Sequence, residues 1–240
     1  MVRVRGNGEV ATVEKRAPKA HTMSVNSSMY FLDDIPLYQE EKPYRLKFQP
    51  SSDIPATNIQ VKKHEVNFTD TRSRVKDYSL KKNGFQLIPM ESTMLGSDFE
   101  DDAKIKKVYL TEVGNSLKKL TSASRVQIFE HLVRKSYVNF PHGAGEDLPY
   151  KQSTTVAHID LTGEWGSIIA RRLNHKIGLG NVPYSNYQYI NVWKPLRGPV
   201  RDWPLALCDP KTVTPTLLQD GDVMFDDFAI ENRLLQYGPK

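Results

Sequence analysis

The sequence holds a single cysteine, Cys208, so no disulfide can form within the chain. A reducing compartment is the natural setting for such a chain, and a cytoplasmic location is expected. No stretch approaches the roughly 18 uninterrupted apolar residues that a membrane span requires. The first residues lack the apolar core of a secretory signal. There is no glycine-rich loop to cradle a phosphate, no paired-cysteine zinc spacing and no G-x-S-x-G turn. Cys208 has no histidine near it in sequence and no helix start beside it, so it is expected to be buried and inert. Internal repeats and low-complexity tracts are also lacking.

What remains is 240 residues with 39% hydrophobic and 25% charged content and a mean hydropathy of -0.52. That is enough chain for one sizeable core and does not call for a second. The formal net charge is +5. Arg3, Arg5, Lys15, Arg16 and Lys19 outweigh Glu9 and Glu14 over the first twenty residues, which suggests a disordered leader over residues 1–25 followed by one domain over 26–240. A mitochondrial presequence is the alternative, against which the two acids and Pro18 count. Elsewhere basic and acidic residues interleave. A nucleic-acid surface needs a clustered basic stripe with aromatic platforms, so neither nucleic acid nor membrane is expected as a partner.

Along the chain, Met29 to Asn58 is rich in Pro and Tyr and suits an extended arm over the surface. Residues 58–88 read as β-structure, with Asn83-Gly84 as a turn signal. Ser97 and Glu100 form a capping pair for a helix whose stripe is Phe99, Ala103, Tyr109, Val113, Leu117 and Leu120. Arg125 to Arg134 alternates as a strand would. Phe140 to Tyr150 is a loop, and Thr154 to Asp160 is a further strand. Thr162 caps a short helix to about Lys176, with Gly178 as its stop. Tyr187 to Trp193 has the clearest strand alternation in the chain. Pro204 to Leu207 is an apolar strand with Asp202 and Asp209 at its ends. The fold class expected is mainly β with flanking helices, an antiparallel sandwich or barrel with helices packed outside.

The strongest chemical feature is His158-Ile159-Asp160. Residues two apart on a strand point to the same side, so the imidazole and the carboxylate would converge while Ile159 enters the opposite layer. Such a pair is two-thirds of the facial triad of non-haem iron oxygenases, which takes a second histidine from a distant strand. A hydrogen-bonded structural His–Asp pair is the other reading. Arg125 and His131 share a face of the preceding strand and are candidates to touch cosubstrate and substrate, with packing and a surface ion pair as the alternative. Tyr189, Asn191 and Trp193 make an aromatic wall with one amide, suited to orienting an apolar metabolite or to plain core packing.

Several spaced blocks carry a family resemblance. IFEHLVR (Ile128 to Arg134), TTVAHIDLT (Thr154 to Thr162) and YINVWKPLRGPVRDWPLALCDPKTV (Tyr189 to Val213) resemble the AsaB-type hydroxylase/desaturase family of fungal secondary-metabolite clusters, which includes the gibberellin desaturase. The resemblance extends upstream through VKDYSLKKNGFQLI (Val75 to Ile88) and the Tyr/Pro arm, covering about residues 28–240. Lys194 stands where Arg is usual and Glu130 where Asp is usual. The resemblance implies a double-stranded β-helix (jelly roll), Fe(II) and 2-oxoglutarate as cofactors, and His158 and Asp160 as metal ligands and catalytic residues. It implies a small-molecule metabolite as substrate, oxidised at an unactivated C–H bond to an alcohol or an alkene. The distant basic residue that grips 2-oxoglutarate is normally late in such a fold; Lys194, with Arg197 and Arg201 as further alternatives, is the candidate here. The family's distal histidine lies in a late P-H-T-A-F segment, beyond an H-[RK]-W-Y-Y block that would begin near the Gly-Pro-Lys240 end of this sequence. The expectation is therefore a C-terminally incomplete domain whose last iron ligand is outside it, since His175 is the only histidine after Asp160. A non-catalytic remnant or binding protein of the same fold, or one completed by a second polypeptide, is the alternative.

Overall fold

The computed structural model describes residues 24–50, 53–135, 151–180, 187–198, 200 and 203–238. Its architecture rests on two sheets. Strands β1 (Ser24–Leu32) and β3 (Val61–Thr69) form a long antiparallel ribbon, in continuous register from Ser24 opposite Thr69 to Leu32 opposite Val61. The second sheet has the order β2-β5-β6-β4, built from β2 (Tyr44–Leu46), β4 (His158–Ile159), β5 (Leu218–Met224) and β6 (Ala229–Leu235). β5 and β6 are an antiparallel hairpin, and β2 runs parallel to β5. Single bridges from Tyr30 to Val156 and from Leu32 to Gln236 lay β1 alongside this sheet.

The Pro/Tyr-rich arm is therefore built into the sheets. It supplies the end of β1, all of β2 and a 3-10 turn over Pro36–Gln39, where proline's fixed φ suits the first position. Tyr38 is buried there. Its hydroxyl donates to the Asn58 carbonyl at 3.1 Å and accepts from the Gln60 amide at 2.7 Å. β1 begins at Ser24, inside the span expected as leader; residues 1–23 lie outside the described residues.

Asn83-Gly84 does not close a hairpin. Ser79 caps α1 (Leu80–Asn83), and Gly84, at φ 72°, ends it by donating to the Leu80 carbonyl at 3.0 Å. A left-handed residue serves a helix stop as well as a hairpin turn, so the dipeptide alone does not choose. The next helix is capped by Asp101, which accepts from the Lys104 amide at 3.1 Å. Ser97 lies in the preceding 3-10 turn, Gly96–Glu100. The helical run is α2 (Asp102–Lys104), a π turn over Ile105–Tyr109, and α3 (Leu110–Thr121). Phe99, Val113 and Leu117 are buried as the stripe predicts, while Ala103 and Leu120 are exposed and Ile105 takes a core place. The wider i→i+5 turn shifts the register of the stripe.

Three clusters make the core. Phe31, Ala157 and Leu235 pack together, as do Leu32, Tyr38 and Leu234, and these two join β1 to β4 and β6. Met94, Phe99 and Ile105 form the third, against the helical run. Residues 125–135 and 187–193 contain no strand among the described residues, apart from a bridge between Arg134 and Lys151. Alternation in sequence sets the two faces of a strand, but a ladder also needs a neighbouring backbone, and among the described residues none pairs in a ladder with these segments. Residues 204–209 likewise form no strand. Asp209 instead caps the 3-10 turn Pro210–Thr212 and accepts from the Asn83 side chain at 3.2 Å; Asp202 and the loop expected over 140–150 lie outside the described residues. Among the described residues no helix is long and apolar enough to cross a membrane.

Candidate functional site

β4 is only two residues long, yet its backbone is fixed from both sides. Ala157 donates to the Tyr30 carbonyl of β1 at 2.9 Å and accepts from the Leu235 amide of β6 at 3.1 Å. Farther on, the Thr162 amide donates to the Glu231 carbonyl at 3.1 Å. The Thr162 hydroxyl donates to Glu231 Oε1 at 2.6 Å and accepts from the Trp165 amide at 3.2 Å, which caps α4 (Gly163–Lys176) as the sequence predicts. Gly178, at φ 75°, follows the helix end. Glu231 in turn meets Lys42 at 2.5 Å, and Lys42 meets Asp222 at 2.6 Å. The segment 157–162 is thus pinned to β6 before and after the His-x-Asp.

Between these pins, His158 and Asp160 turn to one side. His158 Nδ1 lies 2.8 Å from the Val156 carbonyl. A carbonyl only accepts, so Nδ1 carries a proton; Nε2 faces Asp160 and donates to it when the ring is protonated at both nitrogens, while loss of that proton leaves an Nε2 lone pair directed to the same side. Nε2 is 3.1 Å from Asp160 Oδ1, and the Asn191 amide donates to Asp160 Oδ2 at 2.5 Å. The bond to Asp160 holds the His158 imidazole above its ordinary value against the opposing effect of burial. The bond from His158 holds the Asp160 carboxyl below the usual carboxylate range, again against burial, with Asn191 adding to it. The two side chains are 29% and 41% exposed. Ile159 is 47% exposed and enters no opposite layer, because β4 ends there and no second sheet covers it among the described residues.

Two further groups stand near the pair. Tyr189 packs on Phe129, ring centroids 5.8 Å apart, and burial followed by the charges of Asp160 and Glu130 pushes its phenol up. Arg134 bears electrostatically on both His158 and Asp160, and its guanidinium donates to the Gln152 carbonyl. Arg134 closes the IFEHLVR block and was the readable signal for it, but it carried no functional expectation. Tyr187 anchors the 187–193 segment to the first turn of α4, donating to the Gly163 carbonyl at 3.1 Å and pairing with Ser167.

Other expected site residues go elsewhere. His131 Nε2 is 2.7 Å from Asp102 Oδ1, a carboxylate that also holds Lys106, so the imidazole is committed to the start of α2. Arg125 is exposed. Pairing Arg125 with His131 on one face required a strand that is not there. The Lys194 ammonium lies 5.5 Å from the Tyr109 ring centroid and its charge bears on Glu112, placing it toward α3. Trp193 is 50% exposed, so it is not a core residue. Arg197 is exposed, and Arg201 lies outside the described residues. His175 is exposed in the last turn of α4. Cys208 is exposed rather than buried, because its segment forms no strand; its Sγ is 3.4 Å from the Thr212 hydroxyl. Among the described residues no three His, Cys, Asp or Glu side chains gather into a metal-binding group.

Comparison with known proteins follows the same lines. A family model described as "Oxidoreductase/YMDC permease-like domain" matches residues 29–240. "Oxidoreductase AN1597" of Emericella nidulans is 31% identical over 157 residues, 63% of this chain and 51% of that protein. "Hydroxylase/desaturase efuI" of Hormonema carpetanum is 30% identical over 167 residues, 67% of this chain and 55% of that protein. The chain spans about half the length of these two curated relatives. A solved structure of the "iron and alpha-ketoglutarate-dependent endoperoxidase NvfI" superposes with a TM-score of 0.70 at 22% identity, covering 90% of this chain and 76% of the other. The fold is thus the jelly roll of that oxygenase, mainly β with flanking helices. With a family match across nearly all of its length and fungal oxidoreductases among its relatives, the chain belongs to the oxidoreductase/YMDC permease-like family, whose hydroxylase/desaturase members its spaced sequence blocks resemble.

Proposed function

We propose that this chain carries part of the iron site and the substrate wall of an Fe(II)- and 2-oxoglutarate-dependent hydroxylase or desaturase, acting on a small, largely apolar metabolite of fungal secondary metabolism. The observation that carries the reading is the meeting of His158 Nε2 and the Asp160 carboxylate at 3.1 Å, with the imidazole tautomer set by the Val156 carbonyl. An imidazole nitrogen of fixed tautomer beside a carboxylate is a donor set that suits ferrous iron, and His158 and Asp160 would hold the metal. Bound iron, with a 2-oxo acid and dioxygen, would supply the oxidising power to break an unactivated C–H bond. The rest of the work falls to protein side chains. Asn191 fixes Asp160 Oδ2 and leaves Oδ1 on the His158 side. Tyr189 and Phe129 offer an apolar surface beside Asp160 on which a hydrocarbon body would be oriented.

Anaerobic titration of the purified chain with Fe(II) and 2-oxoglutarate tests this. Retained iron and a visible charge-transfer band are expected, both lost in His158→Ala. A wild-type chain that retains no iron and gives no band overturns the reading. The second reading, a binding protein of the same fold without a complete iron site, is favoured by the lack of a third ligand beside the pair among the described residues. It expects His158→Ala to leave ligand binding and stability unchanged.

A further inference from the structure

The segment 187–196 reaches the His158–Asp160 pair through Asn191 but belongs to neither sheet. Among the described residues no backbone–backbone hydrogen bond joins it to another segment. A ladder would fix such a segment residue by residue; without one, its place depends on a few side chains. It nonetheless carries the amide that holds Asp160 Oδ2 at 2.5 Å.

Anchors stand on both sides of that amide. Before it in the chain, the Tyr187 hydroxyl donates to the Gly163 carbonyl at 3.1 Å and pairs with Ser167. The Tyr187 ring lies against Gly166, where an added Cβ would meet its Cε2 at 3.7 Å. Tyr187 and Asn191 thus grip neighbouring parts of one segment, the stretch from Asp160 into the first turn of α4. After the amide, the Lys194 ammonium stands 5.5 Å from the Tyr109 ring centroid. That is inside the range of about 6 Å over which an aromatic face attracts a cation. Tyr109 closes the π turn Ile105–Tyr109 and meets Phe99 edge-on, centroids 4.9 Å apart. Turns of this kind recur at functional sites. Leu196 packs against the Met94, Phe99 and Ile105 cluster. Its carbonyl runs so close to Gly96 that a Cβ there would lie 3.4 Å away. The segment is therefore a strap drawn between α4 and the helical run, with Asn191 between its two fastenings.

We propose that Tyr187 and Lys194 are positioning residues, which fasten the strap at its two ends and so keep Asn191 on Asp160 Oδ2. This rests on the oxygenase reading above, in which Asp160 holds iron, and gives Lys194 a task other than gripping 2-oxoglutarate. Each residue acts through Asn191 rather than on the reacting groups.

The test uses the full chain and its variants Tyr187→Phe, Lys194→Gln, Lys194→Arg and Asn191→Leu. In the metal-free chain, NMR reads the Asn191 side-chain amide, assigned by its loss in Asn191→Leu. An amide that donates to a carboxylate resonates downfield of a solvated one. Tyr187→Phe and Lys194→Gln should each move the signal toward the solvated position. Lys194→Arg keeps a cation over Tyr109 and should leave it in place. Fe(II) affinity, measured by competition with a chelator, should fall about three- to tenfold in Tyr187→Phe and Lys194→Gln. That is part of the loss of about 10- to 100-fold that follows removal of a supporting bond to a metal ligand. On the Asn191→Leu background neither substitution should lower it further. An amide unmoved in a variant overturns that residue's role, as does a moved amide with wild-type Fe(II) affinity. Losses that add to that of Asn191→Leu also overturn the proposal. So does a Lys194→Gln chain that binds 2-oxoglutarate more weakly with its Asn191 amide in place. If wild type retains no iron, the oxygenase reading alone fails, and the amide signal decides the positioning roles. Melting curves report whether each variant is folded, and Lys194→Met, which keeps the alkyl stem, replaces Lys194→Gln if that one is not.

Discussion

At the scale of single residues, the two oxygens of Asp160 have different tasks. Oδ1 faces His158 and Oδ2 is held by Asn191. Asn191→Leu keeps most of the volume and removes the donor, so the carboxylate is free to rotate. Loss of such a supporting hydrogen bond lowers metal affinity by about 10- to 100-fold. That loss is the expected outcome in a competition titration of Fe(II) against a chelator, with little change in melting temperature because Asn191 is exposed. The His158–Asp160 pairing was readable in sequence because i, i+2 convergence depends on local backbone alone. Asn191 was readable only as part of a wall; its bond to a residue 31 positions away is a tertiary fact. His131 takes the ion-pair alternative: its direction toward the site depended on a strand, and it meets the Asp102 carboxylate instead.

At the scale of elements, Thr162 is the joint between the site strand and α4. Thr162→Ala removes the helix cap, worth about 1 kcal/mol. It also removes the bond to Glu231 Oε1, worth about a further 1 kcal/mol. A destabilisation of about 2 kcal/mol in urea unfolding is expected, largely restored in Thr162→Ser. The ends of α4 were legible because their signals are short-range: Thr162 at the start and Gly178 at φ 75° past the end. Asn83-Gly84 was legible as a reversal but not as its type. The runs at 125–134 and 187–193 have strand periodicity and no ladder, since periodicity says nothing of what lies alongside.

At the scale of the whole molecule, Lys42, Asp222, Glu231 and Thr162 form one chain of contacts from the arm through β5 and β6 to α4. The bond from Lys42, then that from Thr162, lowers the Glu231 carboxyl below its ordinary value of 4.5. A carboxyl depressed in the folded state contributes stability above the unfolded value and loses it as pH falls through the folded one. Burial works to lower Lys42, but its bonds to Asp222 and Glu231 outweigh that and raise it. A raised lysine contributes below 10.5 and loses its share as pH rises through the folded value. Urea midpoints measured against pH should therefore fall below about pH 4.5 and again above about pH 10.5. In Lys42→Met both slopes should be shallower. The jelly roll was legible from spaced blocks. The order β2-β5-β6-β4 was not, because the parallel partner of β2 is a late strand and no local rule specifies that pairing.

Ala157, bonded to Tyr30 on one side and to Leu235 on the other, has a consequence in time as well as in space. As the polypeptide leaves the ribosome, β1 emerges before the His-x-Asp, and β6 emerges well after it. Until β6 arrives, the site strand lacks its antiparallel partner, however complete the helices around it have become. The acquisition of the site thus waits on β6, and any pause between residues 160 and 229 prolongs the interval in which Ile159 and its neighbours are open to wrong partners.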